Sequence, residues 1–176
     1  MEVFIEAHIF CMKVLFVCLG NICRSPMAEG VFKHLLEKEG LTDKIVVDSA
    51  GTSRYHVGCP PDARMCNVAQ NKGIALNHKA RQLSFGDFYD FHYIVAMDRS
   101  NFADIICEKP VNNDYRAKIV LMRDFDPNPE DRDVPDPYYG GSDGFINVYN
   151  ILHRSCSEFL RHIKVEMILK EPVIVK

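Results

Sequence analysis

The sequence predicts an α/β fold: a single domain with a four-stranded parallel sheet and helices on both faces. Three observations support this. Short apolar runs of strand length recur at residues 13–17, 45–48, 93–97 and 118–122. Helical periodicity or a helix-start signal lies between successive runs, and strand–helix alternation implies right-handed crossovers over a covered parallel sheet. The 176 residues are 47% hydrophobic and 26% charged, which suits one domain with a substantial core. No internal repeat, low-complexity run or second domain interrupts the pattern.

In chain order, residues 1–11 form an extension ahead of the first strand, which the sequence leaves open as an extra edge strand or a tail. The extension carries Glu2 and Glu6 and no basic residue, so it does not read as a signal peptide. Strand 1 covers 13–17. Helix 1 spans about 25–38, with Ala28, Val31, Phe32, Leu35 and Leu36 on one face and Gly40 as its stop. Strand 2 covers 45–48, and a loop fills 49–59. Pro60, Pro61 and Asp62 open helix 2, which Gly73 closes.

A polar connection, 77–82, leads to a short helix or turn at 84–90. Strand 3 covers 93–97, and Asp98 is placed to cap a helix over 99–107. Strand 4 covers 118–122. The loop 123–141 then holds Pro127, Pro129, Pro135 and Pro137. About 20 irregular residues inside a compact domain are usually functional or disordered. The last helix starts near Asp143 with Phe145, Val148, Leu152, Phe159 and Ile163 as its apolar stripe, and Pro172 ends any continuation. The domain therefore spans 12–170, with a tail at 171–176.

Composition excludes several function classes. A net charge of −3 without a basic block argues against nucleic-acid binding. No apolar run approaches the roughly 18 residues of a membrane helix. The seven cysteines read as reduced thiols of a cytoplasmic protein, and Cys59, Cys66, Cys107 and Cys156 match no metal-ligand spacing. Neither a metal nor a cofactor is expected.

The most informative stretch runs from Val17 to Pro26, Val-Cys-Leu-Gly-Asn-Ile-Cys-Arg-Ser-Pro. It joins strand 1 to helix 1, so its last residues present unpaired N–H groups at the positive end of a helix dipole. That is an anion site. Gly20 and Asn21 both tolerate positive φ, which lets successive N–H groups turn inward as a nest. Arg24 supplies a planar fork for two phosphate oxygens. Cys18 faces the same positive field, which can bring a thiol pKa from about 8.5 to about 3.5–7.5. Ser25 is placed either to hydrogen-bond the Cys18 sulfur or to cap the helix. Together these features point to a cysteine that attacks phosphate. The plain alternative is a buried structural cysteine beside a surface arginine.

The pattern Cys-x5-Arg-Ser resembles the phosphate-binding loop of protein tyrosine phosphatases. Its place directly after the first strand resembles the low-molecular-weight class. The resemblance continues through Asp48-Ser49-Ala50-Gly51-Thr52, His78-Lys79-Ala80-Arg81-Gln82 and Asp136-Pro137-Tyr138-Tyr139-Gly140, covering most of the chain from Met12 to about Lys164. It implies Cys18 as nucleophile, Arg24 as phosphate clamp and Asp136 as general acid and then base, with Asp126, Asp131 and Asp133 as competing acids. It implies a substrate site of Leu19, Gly20, Asn21, Ile22, Cys23 and Ser25, walled by Tyr55, Tyr138 and Tyr139, with Ser49 and His78 buttressing Asn21. His56 stands where the family commonly has an acid. Cys23 is implied to form a reversible, protective disulfide with Cys18.

The implied partners are tyrosine-phosphorylated proteins, with phosphate-like anions as inhibitors, for a monomer or weak dimer. Two alternatives remain. One is an arsenate reductase of the same fold, which needs further relay cysteines later in the chain. The other is a non-catalytic phosphotyrosine-binding module, which would be expected to have lost Cys18 or Asp136.

Overall fold

A computed structural model describes residues 11–138 and 141–170, apart from the side chains of Ser142 and Lys170. The readings made for 1–10, Tyr139, Pro172 and the 171–176 tail lie outside the described residues. In chain order the elements are β1 (Met12–Cys18), α1 (Arg24–Glu39), β2 (Ile45–Gly51), α2 (Ala63–Gln70), α3 (Asp87–Asp90), β3 (Tyr93–Ala96), α4 (Arg99–Glu108), β4 (Lys118–Leu121), a 3-10 turn (Met122–Phe125) and α5 (Ser142–Lys170). The four strands pair in parallel in the order β2-β1-β3-β4. The chain leaves β1 toward β2 on one side and later returns to β3 on the other. The strand order therefore switches at the carboxyl end of β1, where ligands bind in such sheets.

Side chains of β1 alternate between two cores, as the period of a strand requires. Val14 and Phe16 pack with α1, α2 and α5, where Phe32, Met65 and Phe159 are fully buried. Leu15 and Val17 face Phe88 of α3 and Ile105 of α4. The α5 stripe expected from periodicity, Phe145, Val148, Leu152, Phe159 and Ile163, is wholly buried. Asp98 and Asp62 cap α4 and α2, their carboxylates accepting from the Asn101 and Arg64 backbone N–H groups. Gly40 ends α1 in the left-handed region at φ 64°, with its N–H and that of Leu41 returning to Glu37 and Leu36 carbonyls.

Two elements differ from the sequence reading. β2 runs on past Asp48 through Ser49, Ala50 and Gly51, because pairing with the end of β1 overrides the weak strand propensity of those small residues. The first half of α1 is buried on nearly every side, Arg24, Ser25 and Glu29 included, and Ile74, Leu76 and His78 pack against it. Among the described residues, no helix is long and apolar enough to cross a membrane.

Candidate active site

β1 delivers Cys18 to the sheet's carboxyl edge, and the chain then curls through 19–23 into α1. The curl depends on Asn21, which adopts φ 56°. Its N–H donates to the Cys18 sulfur at 3.3 Å. The Ser25 hydroxyl lies 3.0 Å from the same sulfur. Ser25 sits inside the first turn of α1, with Cys23 at the N-cap, so the capping alternative does not hold. Gly20 does not use positive φ either. Its small size matters instead, since a Cβ there would come within 2.9 Å of the His56 ring.

Behind the loop, Asn21 is held on several sides. Its amide donates to Ser25 Oγ at 2.9 Å and Ser49 Oγ at 3.0 Å, and its side-chain oxygen accepts from the Arg81 backbone at 2.9 Å. Its carbonyl accepts from His78 Nε2 at 3.0 Å, which fixes the proton on that nitrogen. Ser49 in turn donates to the buried Glu29 carboxylate at 2.6 Å. The extended β2 also takes part. Thr52 and Ser53 N–H groups donate to the Cys18 and Leu19 carbonyls. A Cβ at Gly51 would sit 2.8 Å from the Leu19 oxygen, so only glycine fits that close approach.

Arg24 is 3% exposed, and its guanidinium reaches three partners. Nη1 donates to Asp98 Oδ2 at 2.5 Å and to the Val134 carbonyl at 3.1 Å, and Nη2 donates to Asp136 Oδ2 at 3.2 Å. Burial opposes its charge, but Cys18, Asp136 and Asp98 outweigh that and raise its pKa, so the guanidinium stays cationic. Burial, with smaller contributions from Asp62, Cys18 and Asp136, pushes the Cys23 thiol up to about 12. Burial thus disfavours the Cys23 thiolate.

Nine of the expected residues, Cys18, Leu19, Gly20, Ile22, Cys23, Arg24, Tyr55, Asp136 and Tyr138, line one cleft of about 310 Å³, joined by Ser53 and His56. Asn21, Ser25, Ser49 and His78 stand behind it. Among the described lining residues, Asp136 is the one carboxylate. Its Oδ1 accepts from the Tyr138 N–H at 3.0 Å. The competing acids are occupied elsewhere: Asp126 with Arg123 and Arg154, and Asp131 and Asp133 with Arg99. Arg64 donates to the Tyr138 carbonyl and stacks 5.4 Å from its ring, steadying that wall. No group of three potential metal ligands occurs among the described residues.

Sequence reasoning did not single out Glu29, Gly51, Arg64, Arg81 or Asp98. Asp98 carried a visible signal as a helix cap, but its pairing with Arg24 spans 74 positions and is purely tertiary.

Comparison with known proteins agrees with this geometry. The profile described as low molecular weight phosphotyrosine protein phosphatase matches residues 13–169. A low molecular weight phosphotyrosine protein phosphatase of Schizosaccharomyces pombe is 48% identical over 153 residues, 86% of this chain and 97% of that one. The crystal structure of a protein tyrosine phosphatase from Entamoeba histolytica, with Hepes in its active site, superposes with a TM-score of 0.83 at 40% identity, covering 88% of this chain and 98% of that one. A Drosophila protein described as an arginine phosphatase superposes with a TM-score of 0.81 at 42% identity, over 87% of this chain and 98% of that one. Four parallel strands in this order, a cysteine-to-arginine loop at their switch point and relatives matched over nearly their whole length lead to one assignment: the chain belongs to the low molecular weight phosphotyrosine protein phosphatase family.

Proposed function

We propose that the chain hydrolyses phosphotyrosine in proteins through a phosphocysteine intermediate. The observation that carries the reading is the meeting of Cys18, Arg24 and Asp136 in one cleft, with the Cys18 sulfur accepting from the Asn21 N–H. Substrate phosphate enters the loop, and the Arg24 fork turns to two of its oxygens. The Cys18 thiolate attacks phosphorus. As the S–P bond forms, the P–O bond to tyrosine breaks and Asp136 gives its proton to the departing oxygen. Asp136, now a carboxylate, takes a proton from the water that attacks the phosphocysteine. Phosphate and the thiolate are released, with the Ser25 hydroxyl hydrogen-bonding the leaving sulfur.

The aromatic walls favour a flat phosphotyrosine over a shorter phosphoserine. Tyr55 is 85% exposed at the rim and Tyr138 stands on the opposite side. Tyrosine-phosphorylated proteins are thus the partners this reading names, with phosphate-like anions as competitive inhibitors. Because one structural neighbour is described as an arginine phosphatase, phosphoarginine is the informative comparison substrate.

The test is Cys18→Ser. The variant should lose turnover of para-nitrophenyl phosphate while still binding inorganic phosphate through Arg24 and the backbone. Residual hydrolysis above roughly a few per cent of wild type would sink the assignment, because losing an essential nucleophile costs orders of magnitude.

A further inference from the structure

We propose that Arg123 is a positioning residue for the loop that carries Asp136, holding the main chain at Asp133, three residues before that carboxylate; the inference rests on the reading of Asp136 as proton donor. Arg123 leaves the 3-10 turn after β4 and is 5% exposed. Its guanidinium makes two divergent contacts. Nε donates to Asp126 Oδ2 at 3.1 Å, and Nη1 donates to the Asp133 carbonyl at 3.1 Å. Asp126 is itself fixed from α5, its oxygens accepting from Arg154 Nε at 2.8 Å and Nη2 at 3.0 Å.

The next residue continues the anchoring. The Val134 N–H donates to the Met97 carbonyl at 2.8 Å, and the Val134 carbonyl accepts from Arg24. Two residues later, between Pro135 and Pro137, the chain presents Asp136 to the cleft. The path from α5 to the acid thus runs Arg154, Asp126, Arg123, Asp133 carbonyl. A buried ion pair is weak support for stability, since an apolar replacement often serves as well. The reach to a main-chain carbonyl is different. The guanidinium reaches the carboxylate and the carbonyl from separate nitrogens fixed in one plane, whereas a lysine ammonium offers its donors from a single point.

The experiment measures the phosphoryl-transfer step in single turnover with phenyl phosphate, whose phenol needs a proton to leave, and with 2,4-dinitrophenyl phosphate, whose phenol does not. In Arg123→Met the Asp136 carboxyl is misplaced, so the phenyl phosphate rate should fall by about 10- to 100-fold, the scale of an ångström-sized displacement. The dinitrophenyl rate should fall less than about threefold, with inhibition by inorganic phosphate unchanged, since the loss is confined to the transition state. Arg123→Lys keeps a cation against Asp126 and should fall between wild type and R123M. It carries the test alone should R123M not fold. Arg154→Met removes the outer support of Asp126 but leaves Arg123 bonded to the Asp133 carbonyl, and should alter the ratio of the two rates less than R123M does.

Equal losses on both substrates, a parallel loss of phosphate inhibition, or an R154M ratio as altered as that of R123M would each overturn the proposal. Asp136→Asn is the control. A flat response there removes the donor reading and this inference with it, whereas a steep D136N with a flat R123M removes the inference alone.

Discussion

The loops 19–23 and 126–138 face each other across the cleft, one held by hydrogen bonds among buried neutral groups and the other largely by charges. Around the first, Asn21, Ser25 and Ser49 are at most 1% exposed, and Asn21 alone engages Ser25, Ser49, Arg81 and His78. Around the second, the Asp131 and Arg99 side chains are 58% and 63% exposed, and Asp136 itself is 40% exposed. Arg123, Asp126 and Val134 at its roots are buried, as is Pro137 beside the acid. The difference follows the chemistry that the proposed mechanism asks of each loop. A nest for a fixed tetrahedral anion gains from rigidity, because preorganised donors need no rearrangement when charge develops. A proton donor must meet leaving groups of different size, so its carrier can be solvated at the tip provided its base is held.

Three changes sharpen that comparison. The largest effect belongs to Asp136→Asn. Phosphotyrosine hydrolysis should fall by 10²–10⁴-fold, the usual worth of general acid catalysis. Phosphoryl transfer from aryl phosphates with acidic phenols should fall much less, and a plot of rate against leaving-group pKa should steepen. Equal slopes for variant and wild type would pass the role to another acid.

Next comes the anion loop. Asn21→Ala leaves Ser49 and the Arg81 N–H short of a partner, a loss of about 1–3 kcal/mol for buried polar groups. It also places a non-glycine residue without hydrogen-bonding capacity at φ 56°. Asn21→Gly removes the same bonds without that strain, so it should unfold about 1 kcal/mol later than N21A in urea. Both variants should bind inorganic phosphate more weakly while keeping the wild-type leaving-group slope. If N21A and N21G prove equally stable, the strained turn is not what Asn21 serves.

The smallest effect is expected at Arg99→Met, which removes the exposed pairs to Asp131 and Asp133. Unfolding in urea should shift only marginally, and the difference should fade in 1 M salt, where charges are screened beyond about 3 Å. A larger, salt-insensitive loss would mean that the outer part of the acid loop is held as firmly as the anion loop.

How much of this was legible in the sequence depended on whether a local pattern recorded it. The α5 stripe, the Gly40 stop, the Asp98 cap and the strand–loop–helix placement of Cys18 all follow from spacing within a few residues. Ser49 and His78 entered through resemblance, and the hydrogen bonds at Asn21 now account for their geometry. Glu29 escaped notice because a glutamate in an amphipathic helix reads as solvent-facing; its neighbours Ser49 and His78 come from distant parts of the chain. The end of β2 was missed because Ser49, Ala50 and Gly51 have little strand propensity, and β1 supplies the pairing. Gly20 was singled out for a backbone angle that it does not use. The close approach of His56 across the cleft explains it instead.

The buried thiol of Cys23 bears on how the site would survive oxidants. Family resemblance assigns this residue to trap oxidised Cys18 as a disulfide, in which a Cys23 thiolate attacks the sulfenic sulfur and hydroxide departs. Burial works against that thiolate, pushing the Cys23 thiol up to about 12. For as long as that thiol stays protonated, an oxidised Cys18 would stand open to a second oxidant.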